Sequence, residues 1–131
     1  MFGVIKIEFN REEIAENFKR GITEMLILKL LSEEDMYGYQ IINLLNKRGG
    51  GMITIKEFSL YGPLYKLVEK NCISEKRVVV GKRRIRVYYH LEPEGEEYFK
   101  VLKEIYSSIS SGISLILNSE KGAEEKDESK E

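Results

Sequence analysis

A chain of 131 residues accommodates one domain plus an appended helix and buries only a small core. The net charge of −1 argues on its face against a polyanionic partner, and no run approaches the roughly 18 apolar residues of a membrane span. With Cys72 as its single cysteine the chain makes no internal disulfide, which fits a cytoplasmic protein.

Met1–Phe9 is short and mixed, with Lys6 and Glu8 among its apolar residues, and does not read as a signal peptide. Asn10–Arg20 predicts a short helix, with Asn10 as N-cap, Glu13 at the capping-box position and Ile14 and Phe18 four apart. Ile22–Leu31 is apolar around most of a helical circumference, so that helix should be central. Ser32–Met36 reads as a polar turn. Tyr37–Arg48 places residues 37, 41, 44 and 45 on one helical face, and Gly49–Gly51 ends it. Ile53 and Ile55 alternate and predict a very short strand. Glu57–Lys70 predicts another helix through Leu60, Leu64, Leu67 and Val68. Pro63 belongs in a first turn or at a kink, so regular helix is expected to start only near Gly62.

Ile73–Val80 and Ile85–Leu91 predict two strands, the second with Val87, Tyr89 and Leu91 on one face and Arg86, Tyr88 and His90 on the other. Gly81–Arg84 forms the tip between them. Charge is concentrated here: Lys66–His90 carries eight Lys/Arg against two Glu, a local +6, although the chain as a whole is slightly acidic. Pro93–Leu117 predicts one long helix in which Tyr98, Leu102, Ile105, Ile109, Gly112 and Ile116 follow heptad spacing, with Phe99, Tyr106 and Ile113 as a second stripe. A helix with so broad an apolar face needs a partner, which we expect to be a second subunit; packing on its own domain is the competing reading.

The order helix, helix, short strand, helix, strand, strand is that of a winged helix-turn-helix. The sequence also resembles the PadR family of bacterial and archaeal transcriptional regulators from about Gly21 to Gly95. Three segments carry the resemblance: Gly21–Leu31 leading into Tyr37-Gly38-Tyr39-Gln40-Ile41; Ser59-Leu60-Tyr61 with Leu64–Glu69; and Tyr88-Tyr89-His90-Leu91 ending in Gly95. The chain departs from the family pattern at Gly62, which stands before Pro63, at Asn71, where glycine is usual, and at Glu92, where threonine is usual.

The resemblance implies a mainly α fold with a small β-hairpin. Its parts are a helical extension (residues 1–20), a winged helix-turn-helix domain (21–92), a dimerisation helix (93–118) and a charged tail (119–131). It implies a homodimeric regulator, a repressor, bound to double-stranded DNA at a pseudo-palindromic operator. Ser59, Tyr61 and Lys66 fall on the DNA-facing side of the recognition helix, with Lys56 just before it. Tyr39 and Gln40, at the start of the preceding helix, are placed to meet a phosphate. Lys82, Arg83, Arg84 and Arg86 cluster at and beside the hairpin tip, four cations that suit a phosphate or minor-groove grip. Tyr98, Leu102, Ile105, Ile109, Ile113 and Ile116 are the expected dimer interface.

Enzymatic readings find no support: His90 is the only histidine, Cys72 has no second cysteine, and Gly49–Gly51 lacks the Lys-Ser/Thr of a phosphate loop. No metal or cofactor is expected. A small-molecule effector of unknown identity is left open, since Tyr98, Phe99 and Tyr106 are equally explained by packing. The rival reading is a winged helix used for protein contact within a larger transcription or chromatin complex.

Overall fold

The computed structural model describes residues 8–122 and 124, so most of the acidic tail expected from residue 119 lies outside the described residues. The described chain falls into two compact units, one running to Phe99 and one from Lys100. In the first unit, α1 (Arg11–Lys19) starts at Asn10, whose side chain accepts a hydrogen bond from the Glu13 backbone N–H at 3.2 Å, as its N-cap position requires. Helix α2 (Thr23–Leu31) is the central element, with Ile27, Leu28, Leu30 and Leu31 buried. Strand β1 (Met36–Tyr37) leads into α3 (Gly38–Arg48), and α4 (Glu57–Glu69) follows after a loop. Strands β2 (Ile73–Val80) and β3 (Arg84–Leu91) form the hairpin, and α5 (Pro93–Leu117) starts in the first unit and runs into the second.

The result is a mainly helical fold with a three-stranded antiparallel sheet in the order β1-β3-β2. Leu60, Leu64 and Leu67 of α4 close on Ile41 and Leu45 of α3 and on α2, while Met36, Ile73 and Tyr89 extend the core along the sheet. Two cations tie the helices at their ends. Arg48 donates to both carboxylate oxygens of Glu33 at 2.6 and 2.8 Å, and its guanidinium holds that carboxyl below its ordinary range. Lys70 at the end of α4 reaches Glu24 of α2 at 3.4 Å and the Tyr98 hydroxyl of α5 at 3.1 Å.

Three local expectations are corrected. The short strand is not at Ile53 and Ile55 but at Met36–Tyr37, where a turn reads as running into a helix; Met36 pairs with Tyr89 and Tyr37 with Tyr88. Ile55 is buried, yet the Asn46 side chain accepts from its backbone N–H, which leaves that group no strand partner. Second, α4 does not wait for Gly62: it runs unbroken from Glu57 with Pro63 inside it. Proline disfavours helical backbone at the preceding residue partly by crowding its Cβ, and Gly62 has none. Third, Arg84 already pairs with Val80, so the tip is Gly81–Arg83 alone.

The other departures from the family pattern are accommodated. Asn71 takes a φ of 60°, the left-handed conformation that asparagine tolerates better than most residues. The Glu92 side chain accepts from Ser74 Oγ at 2.7 Å, and its backbone N–H donates to the Cys72 carbonyl at 3.0 Å and so anchors the start of α5.

Candidate nucleic-acid interface

The hairpin loop turns on two left-handed residues, Gly81 at φ 62° and Arg83 at φ 65°. Glycine adopts this conformation freely, whereas arginine does so at a cost of about 1 kcal/mol. Lys82, Arg83 and Arg84 are all exposed there, with no ion pair among the described residues. The tip and the first residue of β3 thus present three positive charges at the end of a two-stranded arm.

Arg86 differs from them. Its guanidinium lies 4.1 Å from the centroid of the Tyr37 ring, which in turn meets Tyr88 edge-on at 5.4 Å. The ring quadrupole attracts the cation and restrains it at the base of the hairpin, beside the start of α3. Lys76 of β2 stands opposite Tyr88 and extends the basic face. On the other face, Val79 and Ile85 oppose one another and are both exposed, an apolar pair that the charge pattern of the tip does not signal.

At the start of α3, Tyr39 is 67% exposed, and the Gln40 amide donates to Glu34 Oε1 at 3.2 Å. Tyr37 occupies the N-cap without a side-chain hydrogen bond, so the first backbone donors of α3 have no cap from it. Tyr61 leans over this helix end. Its hydroxyl would lie 3.2 Å from a Cβ placed on Gly38, so the glycine makes room for the ring. Tyr61 therefore combines packing with 47% exposure.

The residues expected to face DNA from α4 are spread around it. Ser59 and Lys66 border a cleft shared with α1 and α2, and Lys56 at the N-cap reaches Glu12 at 3.4 Å. The outermost positions, opposite Leu60, Leu64 and Leu67, are instead Phe58 and Tyr65, which are 78% and 64% exposed. Sequence reasoning missed these two rings because apolar residues on a helix are first counted as core. Counting from the leucine face would have found them, since they fall outside its stripe.

In the second unit, Ile105, Ile109, Ile113 and Ile116 are exposed along α5, and Leu102 is half-buried. Tyr98, in the first unit, donates through its hydroxyl to Glu24 at 3.0 Å and lies under Lys70, 4.8 Å from the ring centroid. Among the described residues no helix is long and apolar enough to cross a membrane.

Residues 27–101 match the sequence profile of the transcriptional regulator PadR-like family. An uncharacterised protein of Lysinibacillus sphaericus is 30% identical over 98 residues, which is 75% of this chain and 90% of that one. Among solved structures, a transcriptional regulator from Clostridium thermocellum superposes with a TM-score of 0.70 at 30% identity, over 75% of this chain and 95% of the other. PadR of Bacillus subtilis, solved in complex with operator DNA, gives a TM-score of 0.57 at 23% identity, over 60% of this chain and 45% of that one, a likeness of fold.

Proposed function

The chain belongs to the PadR-like family of transcriptional regulators, and from that membership we propose that it is a sequence-specific double-stranded DNA-binding regulator. We read it as a repressor that acts as a homodimer on a pseudo-palindromic operator. One observation carries the proposal: Lys82 and Arg83 at the hairpin tip and Arg84 beside it are exposed and make no ion pair among the described residues, on the strand pair that directly follows α4. Cations so placed neutralise phosphates and release condensed counterions, which makes binding strong at low salt and steeply salt-dependent. The operator complex of the Bacillus subtilis relative, which shares the fold, supports the same reading.

In this reading α4 enters the major groove and the hairpin grips the adjoining backbone. Tyr39, Gln40 and Lys56 meet phosphates near the ends of α3 and α4, while Ser59, Tyr61 and Lys66 flank the groove. Arg86, held on Tyr37, sets the angle of the hairpin against the duplex. The exposed isoleucines of α5 supply a seam for a second copy, with Tyr98 and Leu102 at its near end. A dimer acts as a repressor most simply by occupying DNA that the polymerase needs.

The test is fluorescence anisotropy on a duplex over a range of salt. Replacing Arg83 and Arg84 together by alanine should weaken binding to every sequence and flatten the slope of log K against log salt by about two. Unchanged affinity and slope would remove the hairpin from the interface. Indifference of the parent protein to any duplex, at low salt as at high, would favour a protein-contact module instead.

A further inference from the structure

Helix α4 points a row of side chains away from the core: stepping by four, three and four residues from Phe58 reaches Gly62, Tyr65 and Glu69, all exposed. The buried leucines occupy the opposite side, so no core contact accounts for the two rings. Glutamate 69 stands beside the Tyr65 hydroxyl and holds that phenol above its ordinary range. Gly62, between the rings in this row, adds no side chain and opens to solvent beside the cleft shared with α1 and α2.

The helix also lacks three of the side chains that most often read bases by paired hydrogen bonds. Its sequence, Glu57–Glu69, contains no Arg, Asn or Gln; Lys66 is its only cation. Arginine for guanine and Asn or Gln for adenine are absent, which leaves Lys66 as the helix's candidate guanine reader; the base feature that an aromatic ring selects in the major groove is the 5-methyl group of thymine. Charge around the row fits a duplex. Lys56 and Lys66 flank it and the tip cations follow, while Glu69 within it repels phosphates and suits a position over base edges.

We infer that Phe58 and Tyr65 are specificity-determining residues that read thymine 5-methyl groups in the major groove of each operator half-site. The inference rests on the DNA-binding reading above and names the base feature that α4 selects. Seven residues separate the rings, about 10 Å along the helix, or about three base-pair steps, so each ring meets its own thymine.

The experiment begins with selection of a preferred duplex by the full-length protein from a random library. Each thymine of the selected site is then replaced by uracil, which removes the methyl group and keeps every hydrogen bond. Uracil at one or two positions of a half-site should weaken binding about three- to tenfold each. Phe58→Ala or Tyr65→Ala should each make one of those positions indifferent to the methyl group while salt-dependent binding to generic duplex persists. Selected half-sites without thymine, or equal affinity for the fully uracil-substituted site, would overturn the inference and leave DNA binding standing. Failure to bind any duplex would overturn both and turn the aromatic row over to a protein partner.

Discussion

Gly95 allows the start of α5 to close on the turn after α4. A Cβ at this position would sit 2.1 Å from the Cys72 carbonyl oxygen and 2.6 Å from Leu91 Cδ1. Because the first of these is backbone already hydrogen-bonded to the Glu92 N–H, it has little freedom to retreat. Gly95→Ala should therefore lower stability by about 2–3 kcal/mol in urea unfolding; a change near zero would mean that α5 docks more loosely than described. Cys72 itself is a buried packing residue whose thiol is pushed up by burial, which disfavours the reactive thiolate. His90 offers a pH-dependent contact: its Nδ1 lies 2.7 Å from Asp35 Oδ1, and that hydrogen bond raises the imidazole above its ordinary value. A raised histidine stabilises the fold fully below its unfolded value near 6.5, and the contribution fades as pH rises through the folded value. Both side chains are about half exposed, so solvent screening keeps the effect small. Thermal melts of Asp35→Asn should show a shallower loss of stability between pH 6 and 8 than the parent protein; parallel profiles would rule the pair out as its source.

Helix α4 holds an internal conflict, since Pro63 has no N–H to give the Ser59 carbonyl one turn earlier. The leucine face, buried against α2 and α3, keeps the helix continuous despite that missing bond. Pro63→Ala should restore it and stabilise the protein by about 1–2 kcal/mol, the helix-interior penalty reduced by the loss of proline's stiffening of the unfolded chain. Destabilisation instead would show that the ring contributes packing in the cleft beside α1. The periodicity of Leu60, Leu64 and Leu67 made this helix legible from sequence, but its starting point was not. Local rules place proline early in a helix, and only tertiary burial shows that the turn preceding it is also helical. Strand β1 was illegible for a related reason. Two residues cannot display alternation, and Met36–Tyr37 is a strand because β3 offers it a free edge.

For the whole molecule, the long α5 presents Ile105, Ile109 and Ile116 exposed, members of an apolar seam at the heptad spacing of a two-stranded helical interface. Replacing Ile105 and Ile109 together by glutamate should shift sedimentation equilibrium from two chains to one and leave the helical signal of the first unit intact. On the proposed dimeric reading, the same variant should lose most of the preference for two half-sites over one, because two recognition helices about 34 Å apart would no longer act together. A variant that remains dimeric would place the interface elsewhere.

The amino-acid sequence by itself determined the helical faces, the hairpin with its basic tip and the long final helix. These follow from the spacing of apolar residues and from charge clustered within a few positions, information local to each segment. Only the tertiary structure decided what depends on distant partners: the pairing of Met36 with Tyr89, the contact of His90 with Asp35 across 55 positions, and the seat of Arg86 on Tyr37. It also decided which rings of α4 remain outside the core. Apolar residues look alike in a sequence, and burial separates those that hold the fold from Phe58 and Tyr65, which face outward.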